Sequence, residues 1–186
     1  MRTTPHPFPA LRPATWADLP QILALLADED RVTDPADVVV TEAYERAFAA
    51  IDADPRNELL VLTHGTGDPA DRGKDEDKDK DRKEDKNEGE DEGEGAVLGC
   101  LQATYIPGLG QGGAERVLLE AVRSRADVRG GGLGRTLMEL AIERARARGC
   151  ELVQLTSNKR RTDAHRFYAG LGFVRSHDGF KLTLDS

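Results

Sequence analysis

The most constraining feature of the sequence is a glycine-rich turn, with four glycines among residues 130–134, that separates two apolar segments. Before the turn, Arg116 to Ser124 (RVLLEAVRS) is apolar nearly throughout, which is typical of a buried strand. After it, Leu133 to Arg148 carries an apolar stripe at helical spacing, and Glu151 to Thr156 (ELVQLT) has the composition of a further strand. A strand, turn, helix and strand of this length predict a parallel crossover unit.

The turn from Arg129 to Gly134 has the chemistry of an anion site. A helix N-terminus offers unpaired N–H donors and partial positive charge, and glycines let the backbone come close to a diphosphate. Arg129 and Arg135 add positive charge on either side. A Walker loop is excluded because no Gly-Lys-Ser/Thr follows, and a dinucleotide fingerprint is excluded because Leu137 occupies its third glycine position. A plain structural connection is the alternative interpretation.

Further elements on either side of this unit predict the fold class α/β, a mixed sheet (α+β) with helices on its faces. The predicted order is β-α-α-β-β-β-α-β-α-β-β. The elements outside the crossover unit are strand Pro9–Arg12, helices over 15–30 and 41–53, strands Glu58–Thr63 and Ala96–Ile106, helix Thr162–Gly170, and short strands Phe173–Val174 and Phe180–Leu184.

A charged insert at about residues 66–95 interrupts the single domain expected over residues 1–186. Between Asp68 and Gly95, 14 acidic and 7 basic residues account for seven of the eight net negative charges. The insert has no Val, Leu, Ile or aromatic residue, so we predict a disordered loop at a hairpin tip. The rest of the chain is nearly neutral and has no basic patch, so nucleic acid is not an expected partner.

The cysteine content and the lengths of the apolar runs limit the cellular location expected for the protein. Cys100 and Cys150 belong to no C-x-x-C pair, which favours buried thiols over a disulfide or metal framework. No apolar run reaches the roughly 18 residues of a membrane span, and Met1 to Pro13 does not predict a signal peptide. We therefore expect a cytoplasmic protein with no membrane partner.

Three segments together resemble the GNAT superfamily of N-acetyltransferases. The run VRGGGLGRTLMELAIERARARGC resembles the family's motif A, written Arg/Gln-x-x-Gly-x-Gly/Ala, and DAHRFYAGLGFVRS resembles its motif B. The opening LRPATWADLPQILALL is similar to the family's first strand and helix. The segment LTSNKRRTDAHRFYAGLGFVRSHDGFKL further resembles the branch that contains aminoalkylphosphonate acetyltransferases.

The resemblance implies that acetyl-CoA lies where the strand before motif A splays from the strand after it. The pantetheine arm would pair with strand backbone at Val122, Arg123 and Ser124. The residues implied at the pyrophosphate are Arg129, Gly130, Gly131, Gly132, Leu133, Gly134 and Arg135. No metal is implied, because the thioester is already activated. Arg161 stands where many relatives have a cofactor-binding asparagine, and Asn158 is out of register, so this contact stays open.

Two residues are the main candidates for proton transfer. An amine with a pKa of about 10 must lose a proton before it attacks, and Glu120 lies amid apolar neighbours in the strand that enters the turn. Glu115 is the reserve base, and the alternative for Glu120 is an edge or salt-bridged carboxylate. Tyr168 matches the family's general acid by resemblance, with a core tyrosine as the alternative. His165 and Cys100 are weaker candidates, predicted to be a solvated or capping residue and a buried thiol.

The predicted function is transfer of an acetyl group from acetyl-CoA to a primary amine of a small molecule by direct attack, with Glu120 as base and Tyr168 as acid. One alternative is acetylation of a protein or peptide at its N-terminus or a lysine. Another is a non-catalytic acyl-CoA-binding regulatory module. A homodimer is left open beside a monomer.

Overall fold

The computed structural model describes residues 9–30, 34, 37–64, 95–125 and 132–184. The predicted insert at 66–95 falls almost entirely on residues 65–94, which lie outside the described residues. Arg129, Gly130 and Gly131 of the glycine turn lie outside them as well. The disorder of the insert and the single domain over 1–186 therefore remain predictions.

The predicted elements from the first strand to the last helix are confirmed in type and order. They are β1 (Pro9–Pro13), α1 (Leu19–Asp30), α2 (Glu42–Ala53), β2 (Asn57–His64), β3 (Val97–Ile106), β4 (Arg116–Ser124), α3 (Leu133–Arg148), β5 (Leu152–Leu155) and α4 (Thr162–Ala169), with short 3-10 turns at Trp16–Asp18 and Gln111–Gly113. No helix in this part of the chain is long and apolar enough to cross a membrane.

The five strands form one mixed sheet whose order follows the chain, β1-β2-β3-β4-β5. The first three pairs are antiparallel, whereas β4 and β5 are parallel. Parallel neighbours need a crossover, and α3 provides it. The predicted parallel crossover and the mixed α/β fold class are therefore confirmed.

Helices cover both faces of the sheet. On one face, α3 buries Leu137 against strand residues that include Leu60. On the other face, Ile22 of α1 packs against Val61, and Phe48 of α2 packs against α1. Leu60 and Val61 are adjacent on β2 and reach different faces because successive strand side chains alternate.

A charged clamp fixes the C-terminal half of α3 against the start of β2. The Glu58 carboxylate accepts hydrogen bonds from Arg144 (Nε 2.7 Å, Nη2 2.6 Å) and from the Tyr105 hydroxyl (2.6 Å). The Arg148 guanidinium lies over the Tyr105 ring, 3.8 Å from its centroid. The Arg144 hydrogen bonds hold the pKa of Glu58 below its usual value, against the opposing effect of burial. The clamp therefore fixes the orientation of α3, whose N-terminal end follows the glycine turn.

The two short strands predicted at Phe173–Val174 and Phe180–Leu184 are wrong. Residues 173–184 are all described and contain no strand. A strand needs a hydrogen-bonded neighbour, and this segment pairs with no other described residue in a ladder. Its apolar side chains beyond Phe173 are left in solvent, with Phe180 96% exposed and Leu182 86% exposed. The alternating pattern that predicted a strand at Phe180–Leu184 is therefore present, but the segment pairs with no strand of the described chain.

The turn before α1 is tied to the sheet by an ion pair. Asp18 accepts hydrogen bonds from both terminal nitrogens of Arg12 (2.7 and 2.8 Å) and from the backbone N–H and hydroxyl of Thr15 (2.7 and 2.8 Å). The Arg12 hydrogen bonds lower the pKa of Asp18 to about 2, although burial acts in the opposite direction. Because Arg12 belongs to β1, the pair fixes the start of α1 against the edge of the sheet.

We expect Asp18→Asn to lower the free energy of unfolding by about 1–2 kcal/mol at neutral pH, because it removes a charge-assisted pair. The folded pKa of Asp18 lies below its unfolded value of about 3.9. The difference in free energy of unfolding between wild type and Asp18→Asn is therefore complete above about pH 4 and is lost as the pH falls through about 2. Urea unfolding over that pH range measures it. Asp52→Asn, at an exposed position of α2, is the control, and equal losses in both variants would contradict this assignment.

Candidate functional site

Strand β4 has neighbours on both sides over only its first half. It pairs with β3 from Arg116 to Ser124, but its pairing with β5 ends where Leu119 meets Leu155. From Glu120 to Ser124, the edge of β4 on the β5 side has no strand pairing within the described chain. Backbone N–H and C=O groups on such an edge can bind an extended ligand that lies between the two strands.

A β-bulge lies at the point where β4 leaves β5. Between the pairs Cys100↔Arg123 and Gln102↔Glu120, β4 contains one residue more than β3. Within this bulge Ala121 has a φ of +51°, in the left-handed region. A bulge bends its strand and increases the local twist, so this one turns the second half of β4 away from β5. Alanine carries no preference for such a conformation, and sequence analysis therefore missed this residue.

The end of β4 holds the three residues predicted to contact a pantetheine arm. Val122 packs at the margin of the main core, and Arg123 Nη1 donates to the Val122 carbonyl oxygen at 3.0 Å. Strand β3 comes very close at this point, since a Cβ built on Gly99 would lie 2.8 Å from the Arg123 carbonyl oxygen. Gly99 therefore allows β3 to support Arg123 and Ser124 from the side opposite the opening. Their contact with a cofactor remains a prediction.

The first turn of α3 faces the same opening. α3 begins after Gly132, whose φ is +85° and which has no side chain to cap the helix. The first N–H groups of α3 are therefore suited to an anion, as predicted for Leu133 and Gly134. A Cβ on Gly134 would lie 3.7 Å from Phe167 Cζ and 4.0 Å from Ser124 Oγ, so α3, α4 and the end of β4 converge here. The roles assigned to Arg129, Gly130 and Gly131 lie outside the described residues.

Arg135 joins the first turn of α3 to the end of α4. Its Nη2 donates to the Gly170 carbonyl oxygen at 3.3 Å, and its Nη1 lies 3.3 Å from Glu139 Oε1. The side chain is half exposed. Arg135 therefore lies beside the helix N-terminus, as the sequence predicted, and its contact with a phosphate remains a prediction.

The two candidate bases have different surroundings. Glu120 immediately precedes the bulge and is exposed, and its carboxylate forms no hydrogen bond or ion pair with the residues described here. Glu115 accepts a hydrogen bond from Arg148 Nε at 3.1 Å and lies 3.7 Å from Cys150 Sγ, before the start of β4. The carboxylate of Glu120 is therefore the one that lies at the opening without a competing partner in this part of the chain.

Tyr168 lies on α4 at the margin of the main core, where Val122 and Leu155 also pack. Its ring makes edge-on contacts with Phe167 and Phe173, with centroids 5.2 and 5.9 Å apart. Its carbonyl oxygen accepts the N–H of Phe173 at 3.1 Å, which fixes the turn after α4. The half-buried ring thus has the packing of a core residue beside the β4–β5 opening, and the acid role of its hydroxyl remains a prediction.

A buried hydroxyl lies just beyond β5, where the two strands diverge. Ser157 Oγ has no hydrogen-bond partner among the described atoms, although it is shielded from solvent. Asn158 is already engaged, since its Oδ1 accepts the Arg160 N–H and its carbonyl oxygen contacts His165 Nε2, both at 2.9 Å. His165 therefore holds the turn before α4, in agreement with a capping role. Ser157 could not be found from the sequence, because the burial of its hydroxyl depends on the fold.

Neither thiol has the surroundings of a nucleophile. Cys100 is fully buried, and burial raises the pKa of its thiol to about 12. Burial also raises the pKa of Cys150, helped by the Glu115 carboxylate. Among the described residues, no three His, Cys, Asp or Glu side chains lie close enough together to hold a metal ion.

Sequence comparison matches residues 71–173 to the acetyltransferase (GNAT) family. The aminoalkylphosphonate N-acetyltransferase of Salmonella typhimurium (strain LT2) is 44% identical over 57 residues, which is 31% of this chain and 37% of that relative. The match therefore spans little more than a third of the relative's length.

Solved structures extend the likeness to nearly the whole chain. A crystal structure of a transcriptional regulator from Bacillus halodurans C-125 has a TM-score of 0.73 and 35% identity, covering 95% of this chain and 99% of the other. The structure of AAC(6')-Iy in complex with the bisubstrate analogue CoA-S-monomethyl-acetylneamine has a TM-score of 0.64 and 12% identity, covering 96% and 99%. The second likeness is one of fold alone.

We expect Gly99→Ala to lower the free energy of unfolding by about 1–3 kcal/mol, because its Cβ would collide with backbone at the end of β4. Gly110→Ala is the control, because a Cβ there meets nothing within 4 Å and its φ of −69° suits alanine. Urea unfolding at constant pH measures both variants. Equal stability of the two variants would contradict the close approach of β3 to Arg123.

Proposed function

Because the chain belongs to the acetyltransferase (GNAT) family and is an acyltransferase, we propose that it moves an acetyl group from acetyl-CoA to a primary amine of a small molecule. One observation carries the proposal: the unpaired half of β4 leads to the start of α3, whose N-cap glycine has no side chain. Strand backbone can bind the amides of a pantetheine arm, and a helix N-terminus can bind a pyrophosphate. Coenzyme A carries these two groups in tandem.

Three features of the described chain fit an acyl-CoA. The β4 edge from Glu120 to Ser124 offers backbone groups, and Ser157 offers a shielded hydroxyl that lacks a described partner. Gly134 keeps the first turn of α3 close to Ser124. When bound, acetyl-CoA supplies an acyl group already activated as a thioester. The chain itself then needs only to align an amine and to move protons.

The proposed cofactor site therefore combines strand backbone, the glycine turn and one buried hydroxyl. The strand part is Val122, Arg123 and Ser124. The turn and helix part is Arg129, Gly130, Gly131, Gly132, Leu133, Gly134 and Arg135. Ser157, on the opposite side of the opening, is an addition that the structure suggests. No metal is part of the proposal.

Glu120 is the proposed base. A protonated amine must lose a proton before it can attack a carbonyl carbon, so a carboxylate is needed beside the opening. Glu120 has this position, and its lack of a described ion pair leaves it able to accept a proton. The hydrogen bond between Glu115 and Arg148 argues against Glu115, because Arg148 already occupies a carboxylate oxygen that would have to accept the amine proton.

Tyr168 is the proposed acid, which gives a proton to the departing thiolate. Its support is its place on α4, which packs against the first turn of α3 through Phe167 and Gly134. A tyrosine hydroxyl at the margin of a core can donate a hydrogen bond in a site that largely excludes water. The ring contacts with Phe167 and Phe173 would hold the hydroxyl in one orientation.

The proposed acceptor is a small amine. The 57-residue match to an aminoalkylphosphonate N-acetyltransferase supports this class. A peptide or protein amine is the alternative acceptor. The likeness to a structure described as a transcriptional regulator favours a second candidate, an acyl-CoA-binding regulatory module without turnover. These candidates share the cofactor site and differ in what happens to the acetyl group.

Acetyl-CoA at about 100 times its Kd should stabilise the protein by about 2.7 kcal/mol, seen as a higher Tm.

We expect Ser157→Ala to weaken acetyl-CoA binding by about 2- to 10-fold through the loss of one hydrogen bond. The same variant should leave the ligand-free protein at least as stable, because its hydroxyl has no described partner to lose. Calorimetric titration and urea unfolding measure the two effects. Ser176→Ala, at an exposed serine, is the control, and tight binding by Ser157→Ala with lower apo stability would overturn the assignment.

Glu120→Gln should lower kcat/KM by about 100-fold or more at neutral pH. The deficit should shrink as the pH approaches the amine's own pKa of about 10, because the free amine then no longer needs the base. Tyr168→Phe should lower kcat at neutral pH, because the departing thiolate then loses its proton donor. Glu143→Gln and Tyr44→Phe, both at exposed positions, are the matched controls. A pH-independent deficit in Glu120→Gln would contradict its role as base.

Release of free CoA over a panel of amines finds the acceptor and separates the candidate functions. The panel contains aminoalkylphosphonates, polyamines, aminoglycosides and peptides. Turnover with a small amine supports the proposal, and turnover with peptides alone favours the protein acceptor. Acetyl-CoA binding with no turnover on any amine would favour the regulatory module instead.

A further inference from the structure

The residue directly opposite the proposed base is a glutamine. In the ladder between β3 and β4, Gln102 is the partner of Glu120. Partners in an antiparallel pair extend their side chains to the same face of the sheet, with Cβ atoms about 4.5–5.5 Å apart. The next pair, Ala103 and Leu119, lies in the core beneath α3. Because successive strand side chains alternate, Gln102 and Glu120 lie together on the other face, against which α1 and α2 pack.

Contacts with β2 determine which way the Gln102 carboxamide points. Asn57 Nδ2 donates to the Asp54 carboxylate at 3.0 Å, so the amide oxygen of Asn57 is directed the other way, toward β3. That oxygen accepts the Thr104 hydroxyl at 2.8 Å and lies 3.5 Å from Gln102 Nε2. The Gln102 nitrogen is therefore directed at β2. Because the nitrogen and oxygen lie on opposite sides of a carboxamide, Gln102 Oε1 is left on the side of β4.

Glu120 and Gln102 together present hydrogen-bond acceptors to a ligand. Neither Gln102 Oε1 nor the Glu120 carboxylate accepts a hydrogen bond from the residues that the structure describes. Glu120 is exposed and Gln102 is half-buried, so a small molecule can reach both side chains. A neutral oxygen beside a charged one suits a group that carries positive charge and donates several hydrogen bonds. A primary ammonium, with its three N–H donors, has this chemistry.

We propose that Gln102 binds the acceptor: its Oε1 accepts one N–H of the substrate's primary ammonium group, and Glu120 accepts another. The inference rests on the proposed function, because it concerns the amine of the same acetyl transfer. When a proton passes from the nitrogen to Glu120, the hydrogen bond to Gln102 keeps the neutral amine beside the β4–β5 opening. A carboxamide oxygen accepts hydrogen bonds without becoming protonated near neutral pH, so Gln102 holds the amine and leaves its proton to Glu120.

Steady-state kinetics of three variants of the full chain test this role. Gln102→Leu keeps the size of the side chain but removes its oxygen, so it should raise KM for the amine by about 10-fold and leave kcat nearly unchanged. Gln102→Glu restores an oxygen acceptor and should recover most of that loss in KM. Thr104→Val is the matched control, because its hydroxyl lies on the same face but opposite Leu118, and it should keep the wild-type KM.

The probes are aminomethylphosphonate and putrescine, together with any other amine of the panel that the wild type turns over. These two primary amines carry opposite charges at their other ends, and the loss in Gln102→Leu should be similar for both because Gln102 contacts only the ammonium. Calorimetric titration of the amine into protein saturated with CoA should show the same weakening, since no transfer can occur there. All three variants should bind acetyl-CoA with the wild-type Kd.

The outcomes separate this inference from the proposed function. An unchanged KM in Gln102→Leu, an equal rise in Thr104→Val, or a KM in Gln102→Glu as high as in Gln102→Leu would overturn the role of Gln102 while the wild type still transfers acetyl groups. A wild type that releases CoA with no amine of the panel would overturn the proposed function, and the inference with it.

Discussion

Strand β4 pairs with β3 along its whole length but with β5 along only its first half, and the proposed site depends on this difference. Its ladder with β3 runs to Ser124, while its ladder with β5 stops at Leu119. The bulge at Ala121, with its positive φ, bends the strand at the same place. A left-handed alanine costs about 1–3 kcal/mol and persists only where the packing around it determines the conformation. The result is an opening between β4 and β5 that has backbone N–H and C=O groups on its β4 side.

The rest of the fold keeps this opening in place from both ends. At one end the Glu58 carboxylate binds Arg144 and Tyr105, which fixes the C-terminal half of α3 to β2 and β3. At the other end the first turn of α3 meets Phe167 of α4 near the end of β4, where Gly99 and Gly134 allow close approach. Charged contacts hold the C-terminal half of α3, and packing holds its first turn. The N-terminus of α3 therefore points at the opening.

The sequence predicted this frame well because each element buries its own periodic stripe. The helix at Leu133–Arg148 and the strands on either side of it could be placed from periodicity and the glycine turn alone. Periodicity failed at Phe180–Leu184, because alternation shows that a segment can form a strand and does not show which edge it joins. Ala121 and Ser157 could not be found either, since a strained φ and a shielded hydroxyl arise from neighbours distant in sequence.

Hydrogen exchange with and without acetyl-CoA reports where along the chain the cofactor binds. We expect slower exchange of amides in residues 120–125, 132–135 and 155–158, the two sides of the β4–β5 opening and the start of α3. Amides in α2 and in the first half of β2 should be unaffected. Protection confined to those distant elements, or no change at saturating acetyl-CoA, would contradict the assignment of the opening as the acyl-CoA site.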